Sequence, residues 1–395
     1  MINVTKLLCG LDQPMDHLRY GHGAGAPKSA SERRPVVVWN VTRTCNLACR
    51  HCYSDSAAKS YENELTHEQG RALLEDLAAF GVPAVLLSGG EPLARKDTLD
   101  LAAYGRSLGI KFTLSTNGTL LDLATAQRIR DLGFTYVGIS LDGIGETNDK
   151  FRGKVGAFER AVRGIRNCRA VGQKVGLRLT LTPETARDLE QIFDFIDREG
   201  VQRACFYHLV SAGRGRTADD LTLEDSRKAL DTIFRRTREF VAKGDPREIL
   251  TVDNHADGPY LYLTLLEEGN TEAAELAYKT IAWNGGAANS SGVGIGDIDP
   301  QGYVHPDQFW QSANLGNVKE RPFSQIWSDP TNELLAGLRN RLPLIKGRCR
   351  ECKFMNLCGG NFRVRALAAT GDPWEADPAC YLTDEEISGA VPVPA

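Results

Sequence analysis

The 395-residue sequence predicts an α/β protein built on a parallel sheet. Three observations carry that prediction. Six short apolar runs recur between residues 35 and 243, and a segment of helical periodicity separates each run from the next. The runs are continuous rather than alternating, as expected of strands buried on both faces. Regular β–α alternation calls for crossover connections, which join parallel strands.

The runs are PVVVWNVT (35–42), PAVLLSG (83–89), KFTLST (111–116), YVGISLD (136–142), VGLRLTLT (175–182) and ACFYHLV (204–210). After the first run, Thr66 and Gln69 have capping-box spacing, Leu73, Leu74, Leu77 and Phe80 follow at helical period, and Gly81 stands where a glycine cap belongs. A later helix is predicted from Pro183 in its first turn through Leu189, Ile192, Phe193 and Ile196 to Gly200. Cys168, three residues after Ile165 on the apolar side of the 158–171 pattern, reads as a small core residue, and Cys205 reads likewise. Periodicity leaves both a barrel and an open sheet available.

Outside this stretch the pattern changes. Residues 1–34 end in GHGAGAPKSASERR and read as a flexible extension, with Cys9 in no clear element and free to approach a site. Beyond 244 the alternation fails, and NGGAANSSGVGIGD (284–297) reads as loops and short β pieces. The cysteine-bearing segment 347–382 is too short for a core of its own and calls for a metal. The expected organisation is an extension (1–34), an α/β domain (35–243), a bridging region lining a substrate pocket (244–340) and a C-terminal metal domain (341–395).

Composition narrows the function classes. With 47 Lys+Arg against 51 Asp+Glu and no long basic block, broad neutralisation of nucleic-acid phosphates is not expected. The start, MINVTKLLCGLDQPMDHLRYGHG, lacks the features of a secretory signal, and no apolar run approaches membrane-spanning length. A cytoplasmic address follows as the expectation, where ten cysteines stay reduced and clustered ones are metal ligands.

Two constellations stand out. Cys45, Cys49 and Cys52 follow the first predicted strand at spacings that can hold three irons of a [4Fe–4S] cube, leaving one iron open for chemistry. A zinc site completed by His51 or a distant residue is the alternative. Cys349, Cys352, Cys358 and Cys380 can close a second cluster completely, with a four-cysteine zinc site as its alternative. Short polar residues also collect at the carboxyl ends of the strands, where α/β proteins gather active sites: Ser115 and Asn117 after the third, Ser140 and Asp142 after the fourth. For Asn117 and Asp142, capping of the following turn is the plainer reading.

The order CNLACRHC, SGGEP, STNGT and SLDG resembles the radical SAM superfamily, whose CxxxCxxC loop follows the first strand of a partial (β/α)6 barrel of TIM type. That resemblance implies an S-adenosylmethionine (SAM)-binding [4Fe–4S] cluster on Cys45, Cys49 and Cys52. It implies that Gly89, Gly90 and Glu91 receive the SAM amino group, that Ser115, Asn117, Ser140 and Asp142 serve the ribose, and that Arg178 pairs with the methionyl carboxylate. His51 stands where an aromatic residue often packs the adenine, with Tyr53 as a substitute. The tail resembles a SPASM or twitch domain, which implies one auxiliary [4Fe–4S] cluster on Cys349, Cys352, Cys358 and Cys380; no cysteine between Cys205 and Cys349 supplies a second.

KLLCG and LRYG, PVVVWNVTRTCNLACRHCYS, TVDNHADGPYLYL (251–263), VHPDQFWQSANLGNVKERPFSQIW (304–327) and CGGNFRVRALAATGDPWEADPACYLTDEE (358–386) resemble the tetrapyrrole-modifying branch of that superfamily. The branch implies an iron-containing tetrapyrrole substrate and an electron donor such as a flavodoxin or ferredoxin, with no nucleic-acid or membrane partner. KLLCG, LRYG and CGGNFRVRA are most similar to the members that remove acetate side chains from 12,18-didecarboxysiroheme; removal of propionates in heme d1 synthesis and peptide maturation are the rival readings. An iron macrocycle bearing carboxylates asks for cations and an imidazole. The candidates are Arg214, Arg216, Arg363 and Arg365, and His255, His305, His17 and His22. His255 leads them, because Asp253, Asn254 and Asp257 form a polar knot around it between apolar runs.

Overall fold

The computed structural model describes residues 1–12, 16, 34–215, 219–283, 286, 289–389 and 394. His17, His22, Arg216 and nearly all of GHGAGAPKSASERR lie outside the described residues.

All six apolar runs form strands. Numbered after a two-residue strand β1 (Ile2–Asn3), they are β2 (Val36–Asn40), β3 (Val85–Ser88), β4 (Phe112–Thr116), β5 (Tyr136–Ser140), β6 (Val175–Leu181) and β7 (Arg203–His208). Each pairs in parallel with the next in chain order, in registers such as Asn40↔Ser88 and Ser140↔Arg178. From β2 to β7 the strand order never reverses, so this stretch of chain winds one way as in a barrel rather than both ways as in a doubly wound sheet. The eleven-stranded sheet begins at β1 and ends at β11 without pairing those edges, which makes the barrel partial.

The strands continue past residue 243, contrary to the expected loss of regular alternation. β8 (Glu248–Val252) adds in parallel to β7, and β9 (Ile295–Ile298) adds in parallel to β2. β8 was not expected, whereas β9 overlaps the 284–297 stretch read as loops and short β pieces, and both have a physical reason for a weak signal. EILTV runs directly into the polar Asp253–Asn254–His255, and IGDI carries Asp297, a carboxyl group buried on the strand itself. β10 (Tyr303–His305) and β11 (Gly316–Asn317) then pair antiparallel at that edge.

The first nine residues are packed, not flexible. Asn3 caps a helix over Val4–Cys9 by accepting from Lys6 N, Val4, Leu7 and Leu8 are buried, and β1 pairs antiparallel with β8. Thr5 Oγ1 donates to Arg247 O at 2.6 Å and accepts from Ile249 N at 3.0 Å, locking that helix to the sheet edge. Cys9 ends this helix with its thiol packed near Arg238.

The predicted capping box is present: Thr66 Oγ1 accepts from Gln69 N at 3.2 Å, Gln69 Oε1 accepts from Thr66 N at 2.9 Å, and Gly81 has φ 78°. The helix after Pro183 is two helices, Pro183–Arg187 and Leu189–Arg198, meeting at Asp188, whose carboxylate turns away to accept from Ile144 N. Along β2–β7 one face sends Val37, Trp39, Leu87, Leu114, Ile139 and Leu179 into the buried layer beneath the helices. The opposite face turns Val38, Leu86, Ser115, Ser140, Arg178 and Tyr207 into the barrel, and these residues line a cavity. Cys168 is fully buried in the helix-side core, and Cys205 packs with Leu250 and Val252.

Candidate active site

The cysteine loop leaves β2 and is held open by N–H groups aimed at its sulfurs. Cys45 Sγ accepts from Leu47 N at 3.5 Å and faces Asn117 Nδ2 at 3.9 Å. Cys49 Sγ accepts from Arg152 Nη1 at 3.6 Å, and Cys52 Sγ accepts from Ser56 N at 3.4 Å. Burial pushes the Cys45 thiol up to about 12, with the neighbouring Cys49 and Cys52 adding to the rise. As free thiolates the three would repel one another, whereas on iron their charge is taken up and the surrounding N–H donors fit the sulfurs. The zinc alternative lacks its fourth ligand: His51 lies with its ring against Phe151 at 4.8 Å and its Nε2 3.2 Å from Asp219.

The Gly-Gly-Glu turn is packed tightly against the cysteine loop. A Cβ on Gly89 would sit 2.4 Å from Thr42 O, and one on Gly90 would sit 2.4 Å from Thr44 O. The glycines therefore let the turn press against the backbone that leads into Cys45, while both still line the cavity. Glu91 is fully buried, and its carboxylate faces inward: Oε1 accepts from Thr116 Oγ1 at 2.8 Å and Leu93 N at 3.1 Å, and Oε2 accepts from Asn117 N at 2.7 Å. Glu91 fixes the end of β4, and through it Asn117, rather than lining the cavity.

Asn117 donates from Nδ2 to Asn46 Oδ1 at 2.8 Å and accepts from Thr119 N at 2.9 Å, so it joins the cysteine loop to the turn after β4. Asp142 exceeds a turn cap. One oxygen accepts from Thr180 N at 2.6 Å, and the other is ion-paired with Arg152. Ser115, Ser140 and Arg178 line the same cavity, with the Arg178 guanidinium 4.7 Å above the Tyr207 ring. Gly138 makes room for that arginine, since a Cβ there would come within 2.8 Å of its side chain. Tyr53 also lines the cavity, its hydroxyl donating to Asn40 Oδ1 at 2.9 Å.

A second chamber continues inward from the first and shares Arg178, Tyr207, Asp253 and Gln308 with it. His255, Asp307 and Phe362 also line it, together with Tyr136, Arg203, Asn289 and Ser290. Asp253 Oδ2, His255 Nδ1, Asp307 Oδ2 and Gln308 Oε1 are buried there with no hydrogen-bond partner, a set that a ligand would satisfy. Burial drives the His255 imidazole well below its usual range, so it is neutral, and raises Asp253 to about 6. Tyr53, Phe309 and Phe362 form one wall with ring centroids 5.5 and 5.9 Å apart, and His255 meets Phe362 edge-on at 6.0 Å.

Behind that wall the four tail cysteines form a single group. Burial raises the Cys358 thiol most, and Cys380, Cys352 and Cys349 each raise it further, so all four share one electrostatic neighbourhood. Arg363, fully buried beside them, spends Nη1 on Pro373 O and Glu375 O and leaves Nε and Nη2 unpaired near the sulfurs. Four thiols and unpaired guanidinium N–H groups are a donor set that fits an iron–sulfur cluster.

Several expected substrate contacts are placed elsewhere. Arg365 is consumed in bonds to Asp377, Leu209 O and Asp253 O and clamps the tail to the barrel. Arg214 braces the cysteine loop through Cys49 O, Asp55 and Ser56 O, although it also borders the cavity. His305 Nδ1 donates to Ala313 O at 2.7 Å on the β9–β10 ladder and lines neither chamber. The sequence reading missed Arg152, Asp307, Gln308 and Phe309. Arg152 carried one weak signal, a Phe-Arg-Gly eight residues beyond the SLDG strand end.

Residues 39–196 match the radical SAM superfamily, and residues 296–353 match an iron-sulfur cluster-binding domain named SPASM. The chain is 53% identical to Fe-coproporphyrin III synthase of Methanosarcina barkeri over 98% of its length and 99% of that protein. It is 46% identical to pre-heme d1 synthase of Dinoroseobacter shibae, over 91% of this chain and 89% of the relative. Among solved structures, Streptococcus suis SuiB bound to S-adenosylmethionine superposes with a TM-score of 0.68 at 19% identity, covering 88% of this chain and 78% of SuiB, a likeness of fold.

Proposed function

Since this chain belongs to the radical SAM superfamily and carries its iron–sulfur tail domain, we propose that it removes the acetate side chains of 12,18-didecarboxysiroheme to give Fe-coproporphyrin III. Its identity to a Fe-coproporphyrin III synthase extends across almost the whole of both chains, which supports a radical SAM enzyme of tetrapyrrole modification in heme biosynthesis. The observation that carries the reading to a site is the neutral, buried His255 facing a chamber that opens directly off the cysteine-loop cavity.

Cys45, Cys49 and Cys52 would hold a [4Fe–4S] cluster with one iron left for SAM. Reduced, that pair supplies a 5′-deoxyadenosyl radical able to take hydrogen from a nearby carbon. The chain's own residues set where this happens. Arg152 and Asn117 hold donors on the Cys49 and Cys45 sulfurs, and Asp142 fixes Arg152. Gly89, Gly90, Ser115, Ser140, Arg178, His51 and Tyr53 border the cavity where the methionyl, ribose and adenine groups would lie, with Arg178 offering a guanidinium to the carboxylate. In the inner chamber His255 offers a neutral imidazole to the macrocycle iron, and the Tyr53–Phe309–Phe362 wall excludes water from one side.

Residues 244–340 supply most of this chamber in our reading, and 341–395 hold the auxiliary cluster on Cys349, Cys352, Cys358 and Cys380. A flavodoxin or ferredoxin is the electron donor we expect, in the cytoplasm. Among the described residues, no helix is long and apolar enough to cross a membrane. Pre-heme d1 synthase, at 46% identity, favours propionate removal as the second reading. Anaerobic incubation of reduced, reconstituted enzyme with SAM and 12,18-didecarboxysiroheme separates the two by product mass. Loss of two acetates supports the proposal, and loss of propionates or an unchanged macrocycle refutes it.

A further inference from the structure

The segment Cys358-Gly-Gly-Asn-Phe-Arg joins the auxiliary-cluster cysteines to the inner chamber by an unusual backbone course. Gly359, Gly360 and Asn361 stand in succession at φ 56°, 79° and 67°. Glycine takes this conformation at little cost, but a side chain does not, and asparagine is tolerated there chiefly when its amide is engaged. At Gly360 a Cβ would lie 2.8 Å from Ile345 Cδ1, so a larger residue there would have to displace that side chain as well as hold the left-handed backbone. The left-handed turn brings Phe362 to the chamber wall and sends Arg363 back beside the thiols.

Asn361 is 1% exposed, and both ends of its amide are used on one loop. Its Oδ1 accepts from the backbone N–H of His255 at 2.6 Å, and its Nδ2 donates to Asn254 Oδ1 at 2.7 Å. Asn254 in turn donates to Ala379 O at 2.9 Å, the residue before Cys380. The loop bearing His255 is thus gripped beside two of the four tail cysteines, and Asp253, at φ 67°, is itself strained where the loop leaves β8.

We propose that Asn361 is the positioning residue through which the auxiliary-cluster loop holds His255 at the substrate chamber, so that the second cluster's fold builds the substrate site. This rests on the reading of His255 as a chamber ligand given above. Asn361→Gly keeps the left-handed backbone and removes both bonds. Asn361→Asp keeps an acceptor for the His255 N–H and removes only the donor to Asn254.

The test is an absorption titration of holoenzyme with ferric coproporphyrin III, beside iron content and EPR of both clusters. Asn361→Gly should weaken binding about tenfold and move the Soret band toward that of His255→Ala, with cluster spectra unchanged. Asn361→Asp should restore the wild-type band position. Wild-type binding and band position in Asn361→Gly, alongside a clear effect of His255→Ala, would overturn the proposal while leaving the chamber reading intact. No effect of His255→Ala would overturn the chamber reading and the proposal with it.

Discussion

Arg152 reaches Cys49 Sγ with Nη1 across 3.6 Å while its Nη2 is ion-paired with Asp142, whose side chain is 2% exposed. The pair links the cysteine loop to the turn after β5. Removing the arginine leaves a buried carboxylate without its cation, a loss of about 3–5 kcal/mol. Arg152→Met should therefore lower the urea midpoint strongly, and so should Asp142→Asn, which leaves the buried guanidinium without its anion, while the double variant should lose less than the two single losses added. Additive losses would contradict this account.

Glu91 gives a second prediction, because its carboxylate serves three internal donors. Glu91→Gln replaces one acceptor oxygen with an NH₂ that must face a donor, most severely at Asn117 N, at a cost of about 1–3 kcal/mol. The variant should unfold earlier, and SAM affinity measured by equilibrium binding should fall only as far as Asn117 shifts. Unchanged stability with lost SAM binding would instead make Glu91 a direct ligand.

How much was legible in advance follows from these residues. The strands β2–β7 were readable because continuous apolar runs bounded by turns have few other uses, and the CxxxCxxC spacing is specific enough to place a metal. Asp142 and Asn117 were readable as site residues but not in their bonding, since Arg152 lies in a helix ten residues further on. β8 was hidden by the polar residues that follow it, and β9 was legible only as a short β piece because its buried Asp297 needs a tertiary partner: Asn40 Nδ2 donates to Asp297 Oδ1 at 2.9 Å across the sheet. Arg365 and Arg214 were readable only as candidate cations, each more readily a solvated surface charge, because a sequence shows a charge but not the carbonyls that occupy it.

Asp253 predicts a pH signature. Burial raises it from 3.8 to about 6, so the folded chain binds the extra proton and this group's contribution to stability is present below pH 4 and lost as pH rises through 6. Asp253→Asn removes the charging step. Its stability relative to wild type, from urea midpoints, should be higher at pH 8 than at pH 4; a difference independent of pH would contradict this.

The tail group predicts a metal count. Two [4Fe–4S] clusters bring about eight irons per chain, so Cys358→Ala should leave about four. Because the Asn361 turn starts at Cys358, proteolysis near 359–365 should accelerate in the same variant. Full iron retention would contradict a second cluster on these cysteines.

The most direct measurement replaces Cys45, Cys49 and Cys52 together by alanine, with the tail cysteines intact, and assays iron and 5′-deoxyadenosine after anaerobic reduction with SAM. The account predicts about four irons and no 5′-deoxyadenosine, against about eight irons and clear formation in the wild type. Continued formation of 5′-deoxyadenosine by the triple variant would contradict it.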